Sequence, residues 1–547
     1  MKTRIFALAR ARGRELAGGA LLVLLSAARL MANGFAYYPQ LDDYIQYYKY
    51  TALDTPAGAV AKYGMLAARP LSNTADVFVW AKFWGHMFAA VMILSLLYAA
   101  AVIILGRVFH RLFPQVFGVN GEFVFALFCL LLPLNIEGTY WLSASTRVVC
   151  GLFWCALAAE LFLRWLDSGN PVNAALYGLF QLFAMASYEQ SLMLTAALTA
   201  VIMIREWKKS RVCVLVGLLT VSNALFYWAF TSLFQPSSAL YGNAYGVVSP
   251  FRAYFWTNQL PHVIKQFTAA FIGGGVMTLI KGATRGISLI FTDGKIAFGA
   301  LAAVCAAAVF AYVRKCATDG ERQDTTANLT ADAVPYKGST LPFIAGLVLA
   351  AAPLAPFVIK ENPWFSLRGT VCSLPGIALC VGSLASATTP RFAKLADRIK
   401  FIKSLPAALC ALFTLMSFCA AASELNDYKL TYIHDTAVMT ALAEAIDMRE
   451  IKGRIALSGV EPSYLADQNF RYHEHIHGVT ESEWALSGAL YTYNGGMLDP
   501  SVRFVPLRSD AAERAFADEN SGGTNKYDVI YIYTDGKFVR ADINPAS

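Results

Sequence analysis

The segment "LAGGALLVLLSAARLMANGFA", residues 16–36, is about long enough to cross a bilayer as a helix, and comparable apolar stretches recur along most of the chain. Such segments belong in lipid, where a helix satisfies its own backbone hydrogen bonds. Composition agrees: of 547 residues, 56% are hydrophobic and only 15% charged, against about a quarter charged in an ordinary soluble chain. The expected class is mainly α, a polytopic transmembrane helical bundle. Lys2, Arg4, Arg10, Arg12 and Arg14 precede the first segment much as in a signal peptide. The apolar run is long and no A-x-A-like site follows, so a retained anchor is expected.

Taken in order, the apolar runs give about eleven spans, near 16–34, 83–106, 121–137, 147–165, 173–187, 190–204, 212–232, 287–313, 341–358, 369–388 and 405–422. The runs within 173–204 are short for full crossings, and "HVIKQFTAAFIGGGVMTLIKG", 262–282, fits an interfacial helix, a re-entrant one, or a partner to the run after it. Basic clusters fall on alternate loops: the N-terminus, Arg107 and Arg111, Arg205 to Arg211, Arg314 and Lys315, and Arg391 to Lys403. By the positive-inside rule these are cytoplasmic, which places the N-terminus and the linker 316–340 inside and everything after 422 outside. The net charge of +8 is mostly this orientation signal, and no nucleic acid is needed to explain it.

Beyond residue 422 the pattern changes. "DTAVMTALAEAIDM" has a helical apolar stripe with Asp435 at its start, "RIALSGV" and "VRFVPL" look like strands, and "DVIYIYTDGKFVRAD" alternates around an Asp-Gly turn, the strongest short hairpin signal. The expected organisation is a transmembrane domain over 1–422 and a small extracytoplasmic α/β domain over 423–547. All ten cysteines precede the tail, so disulfides do not organise it.

Between the first two spans lies the long external loop 35–82, which opens with "FAYYPQLDDYIQYYKY". Asp42 and Asp43 sit there among tyrosines, and Arg69 follows in "YGMLAARPLSN". An interfacial aromatic belt with solvated acids is one reading. The other is chemical: two adjacent carboxylates repel each other, and one with a raised pKa is suited to accept a proton.

An Asp-Asp pair after the first span, in a long first external loop, followed by some ten spans and an outer C-terminal domain, resembles the GT-C superfamily of integral-membrane glycosyltransferases. "LDDYIQYY" with "ARPLSN", and "MASYEQSLML", look most like the bacterial branch that includes the O-antigen glucosyltransferases, although Ala68 stands where that pattern has glycine. The resemblance implies a bacterial plasma-membrane enzyme that transfers a sugar from a polyprenyl-phosphate donor to a glycan or glycolipid acceptor outside the cell. It favours Asp42 as general base, with Asp43 tuning it. Such chemistry needs no nucleotide site, and no Gly-rich phosphate loop stands out; "GGG" at 273–275 suits packing or a hinge.

Other candidates fall at the outer ends of spans. "LNIEGTYWLSASTR" supplies Glu137 and Arg147, "SYEQS" supplies Tyr188 and Glu189, and "KENPWFSLRGT" supplies Lys360 and Arg368. An arginine there suits a lipid phosphate, and an acid inside an apolar run asks for a partner. Contact with the donor phosphate or sugar stands beside simple ion pairing for Glu137 and Glu189. In "RYHEHIHG", His473, His475 and His477 would share one face of a strand. They are a candidate divalent-metal site, set against a polar face near the acceptor. A transporter or flippase for a lipid-linked or polar solute is the alternative function, but its charges would gather at the midplane on broken helices. A third reading treats the tail as a binding or sensing module.

Overall fold

The computed structural model describes residues 2–117, 120–234, 246–327, 340–361, 363–396, 404–460, 476–507 and 527–541. The molecule is mainly helical, with a small sheet near the C-terminus. Among the described residues, eight helices are long and apolar enough to cross a membrane, or nine when the bent pair Gly121–Leu131 and Pro133–Tyr140 counts as one span. These helices mark an integral membrane protein.

Helix covers every run expected to span, with two corrections to the ranges. The run 287–313 is divided at Asp293–Lys295, between helices Ala283–Thr292 and Ile296–Ala327. Residues 262–282 belong to a continuous helix, Phe255–Thr292, with a π-helical middle at Ala269–Gly282. Both ends of that helix lie at one end of the bundle. Gln259 Nε2 donates to the carbonyl of Lys360 at 2.6 Å near its start, and Arg285 pairs with Asp427 at 2.6 Å near its finish. Just beyond it, Lys295 Nζ reaches Asn33 Oδ1 at 2.9 Å. The helix therefore runs across the bundle end rather than through it. Gly275 of the glycine run packs on Leu134, whose Cγ would lie 3.1 Å from a Cβ there, which fits the packing role.

Helices Pro171–Ser187 and Glu189–Arg205 have 17 residues each. They are about 26 Å long, just short of the hydrocarbon thickness. They are split at Tyr188, which is extended at φ −159° and ψ 144°. The third span is broken at Leu132 and Pro133, where the axis bends by 58°. A break at this depth frees carbonyls that must find donors. The Asn135 amide supplies them, donating to the carbonyls of Cys129 at 2.6 Å and Leu130 at 2.9 Å. Buried Arg29 in turn donates to Asn135 Oδ1 and to Thr139 Oγ1. This polar knot sets the direction of Ile136–Tyr140 and with it the position of Glu137.

The boundary expected at 422 falls inside one unbroken helix, Leu405–Ala445. Asp435, expected as a cap, is mid-helix and buried, and its carboxylate accepts from the backbone of Val479 at 3.0 Å. The helix leads into a sheet of β1 (Arg454–Ser458), β2 (Arg503–Leu507), β3 (Val529–Thr534) and β4 (Lys537–Ala541), in the order β2-β1-β3-β4. β1 runs parallel to β2 and β3, while β3 and β4 form the expected hairpin around Asp535 and Gly536, both at positive φ. Residues 316–327 of the expected linker continue helix Ile296–Ala327, and 328–339 lie outside the described residues.

The first half of the N-terminal helix and the sheet lie at opposite ends of the bundle. Tyr312 donates to the carbonyl of Arg14 at 3.2 Å at one end. At the other, helix Glu483–Tyr493 of the C-terminal unit packs on Ile45 of the first long loop.

Candidate functional site

Residues 35–82 fold into short helices over the sheet-bearing end of the bundle, beside a cavity of about 630 Å³. Leu41 is held at φ +33°, an uncommon conformation for a leucine, immediately before the turn that carries Asp42. The carbonyl of Asp42 accepts from Ile45 and Gln46 at 3.0 and 2.8 Å, so Asp42 and Gln46 share one face of that turn. Both line the cavity.

The two acids have separate surroundings. Asp42 is half-buried and faces the cavity, and among the described residues its carboxylate accepts no hydrogen bond. Burial raises its pKa, against the pull of Arg147, Arg368 and Arg69. Asp43 is fully buried and does not reach the cavity lining. Its carboxylate accepts from Tyr37 Oη at 2.6 Å, from the Gln40 amide at 2.9 Å and from the Ser143 amide at 3.0 Å. Tyr37 Oη also accepts from the Leu142 amide at 2.8 Å. Asp43 thus ties the loop to the start of helix Leu142–Ser168. Burial pushes it up to about 7, opposed by those three hydrogen bonds and assisted by repulsion from Asp42.

Four cations meet two carboxylates on the cavity lining: Arg69, Arg147, Lys360 and Arg368 against Asp42 and Glu189. Arg69 is itself left-handed at φ +52° and turns its guanidinium back, with Nε 2.9 Å from both Glu189 oxygens and the guanidinium carbon 4.6 Å from the Tyr188 ring centre. The break at Tyr188 makes this pairing possible by presenting Tyr188 and Glu189 together. Arg147 lies 3.6 Å from Asp76. Arg368 is sandwiched between Trp141 and Trp364, at 4.7 and 4.6 Å from the ring centres. Its backbone amide donates to Glu137 at 2.9 Å, with its Nε 4.0 Å from the same carboxylate. Glu137 is fully buried behind Arg368 and outside the lining.

The candidates at Asp42, Arg69, Arg147, Tyr188, Glu189 and Arg368 therefore meet on one cavity, while Asp43 and Glu137 stand behind it. His473 and His475 lie outside the described residues. His477 Nδ1 is 2.5 Å from Glu481 Oε2, and its ring stands edge-on to Trp364 at 5.3 Å. Among the described residues no group of three or more metal-ligating side chains occurs.

Sequence reasoning missed Asp76, Gln46, Ser366, Trp364 and Trp484. Asp76 is buried, with a pKa pushed up by burial to about 6 and pulled back by Arg147. It follows Arg69 by two helical turns in Pro70–Phe78, and an acid on that loop was the available signal. The other four line the cavity. Trp484 comes from the C-terminal unit, and nothing in the local sequence links it to Asp42. No family model matches the chain, and no curated protein matches it.

Proposed function

We propose that this protein is a membrane glycosyltransferase of the GT-C type, moving a sugar from a polyprenyl-phosphate donor to a glycan or glycolipid acceptor on the extracytoplasmic face of a bacterial plasma membrane. One observation carries the reading: the carboxylate of Asp42, which accepts no hydrogen bond among the described residues, faces a cavity rich in cations at one end of an apolar helical bundle. Transfer from a lipid phosphate needs both halves. Asp42 accepts the proton of an acceptor hydroxyl as its oxygen bonds to the anomeric carbon. The bond from that carbon to the phosphate oxygen breaks, and the electron pair leaves with the lipid phosphate. Fixed cations stabilise that growing charge without reorganising.

The environments suit these roles. Burial makes Asp42 a stronger base, while three arginines keep enough of it ionised to act. Arg368 presents a planar fork locked between two indoles, the geometry that binds phosphate through paired hydrogen bonds. Arg69 and Arg147 are already engaged by Glu189 and Asp76, which favours Arg368, held between Trp141 and Trp364, as the first phosphate contact. The notable charges collect at one end of the bundle, where an enzyme working on lipid-linked sugars needs them, and away from the midplane that a transporter would use.

The test is sugar transfer from a polyprenyl-phosphate hexose by the full chain in nanodiscs. Asp42→Asn should lower the rate by about 10²–10⁴, the cost of losing a general base, with donor binding retained. Wild-type rate in Asp42→Asn, or no transfer from any such donor by the wild type, would sink the proposal.

A further inference from the structure

We infer that the C-terminal unit supplies the acceptor half of this cavity, with Trp484 as the platform on which an acceptor pyranoside ring stacks and Gln46 as the acceptor of one of its hydroxyl hydrogens. The inference rests on the glycosyl-transfer reading above and adds to it the acceptor subsite and the class of acceptor.

Trp484 stands in the first turn of helix Glu483–Tyr493, whose Ala485, Leu486, Ala489 and Leu490 are fully buried. Its own side chain remains 48% exposed and lines the cavity. A large indole left open on an otherwise buried helix has surface to offer a ligand. The helix is also keyed to the turn carrying Asp42. Gly488 sits so close to Ile45 that a Cβ there would run into the Ile45 side chain, and Thr492 Oγ1 donates to the Tyr44 carbonyl at 3.2 Å. At its start, Glu483 holds Arg454 at 3.2 Å and Arg503 at 3.8 Å, fixing the helix to strands β1 and β2. The indole is thus placed by a packed element, which is what a recognition surface requires.

Gln46 gives the second, independent observation. Only 8% of it is exposed, it lines the cavity, and among the described residues its Oε1 has no hydrogen-bond partner. A buried carbonyl oxygen without a donor is unfavourable until a ligand supplies one. Gln46 shares a face with Asp42, so a hydroxyl held there is close to the proposed base. A tryptophan face is matched to the C–H face of a pyranose, whose hydrogens carry partial positive charge toward the negative face of the ring. It is not matched to a phosphate. The phosphate end of the cavity has its own neutral groups, since Gln190 Oε1 and Ser366 Oγ also lack partners among the described residues and flank the Arg368 segment. The cavity is accordingly divided: cations, Gln190 and Ser366 for the donor, and Trp484 and Gln46 beside Asp42 for the acceptor.

The experiment labels the full chain with 5-fluorotryptophan in nanodiscs and assigns the Trp484 fluorine signal by its loss in Trp484→Phe. Methyl glucoside, mannoside, galactoside and rhamnoside are titrated separately. At least one should shift the Trp484 signal saturably, and Gln46→Ala should weaken that binding about tenfold. In the transfer assay with the same glycosides as acceptors, Trp484→Ala should raise acceptor KM about tenfold without raising donor KM, and Trp484→Phe should restore most of the loss. A signal that none of the four glycosides moves, or that only lipid composition moves, makes Trp484 a membrane anchor and overturns the inference. An acceptor KM unchanged in Trp484→Ala does the same. A wild type that shifts its Trp484 signal with a glycoside but transfers no sugar would leave the subsite standing and remove the transferase reading instead.

Discussion

Replacing Asp43 by asparagine sets two large opposing effects against each other at a site the structure defines closely. The carboxylate is fully buried and accepts three hydrogen bonds, from Tyr37, Gln40 and Ser143. Burial dominates and lifts its pKa from 3.8 to about 7. The sign follows from linkage: an acid whose pKa is higher in the folded chain stabilises the fold while it stays neutral. That contribution is fully present below pH 3.8 and is lost as pH rises through 7. In total, it is worth about 4 kcal/mol, of which about 3 kcal/mol disappears between pH 5 and pH 8. Asparagine is neutral throughout and has no such slope. Thermal or denaturant unfolding of both proteins in detergent at pH 5, 6, 7 and 8 gives the difference, in which the other titrating groups largely cancel. Asp43→Asn should gain on the wild type by about 3 kcal/mol across that range, whatever the offset at its start. A difference that stays flat, or an asparagine variant that falls further behind as pH rises, would show that the three hydrogen bonds outweigh burial and hold Asp43 ionised in the fold.

Arg368→Lys should keep charge but lose the flat stack between Trp141 and Trp364, raising donor KM by about tenfold or more; an unchanged donor KM would take Arg368 out of the donor site. Glu137→Gln keeps an acceptor for the Arg368 amide and should cost less activity than Glu137→Ala, which leaves that amide without its carboxylate; equal losses would mean that the Glu137 charge, rather than its hydrogen bond, is what matters. For orientation, a cysteine at Ser501 should react with an impermeant thiol reagent in intact cells and one at Lys208 should not, in a background lacking the ten native cysteines. The reverse pattern would invert the whole assignment of faces.

The runs of apolar residues determined by themselves that this is a helical membrane protein, because a helix in lipid is demanded by local composition and needs no partner to be recognised. The Asp-Gly hairpin of β3 and β4 was equally legible, since a tight turn is specified by its own residues. The loop 35–82 with Asp42 and Arg69, and the outer-end residues Arg147, Tyr188, Glu189 and Arg368, could be listed from sequence as separate candidates. Their assembly could not. The break at Pro133, the split at Tyr188 and the left-handed backbone of Arg69 bring them onto one cavity, and each depends on contacts across the bundle. Only the tertiary structure separated the two acids, turning Asp42 to the cavity and Asp43 to the backbone of Ser143, 100 residues away. Only it brought Trp484 and Gln46 onto the same cavity. Local residue patterns record which segments enter lipid or turn, whereas a site built from distant segments is decided by packing, where burial and partner geometry select the role of each side chain.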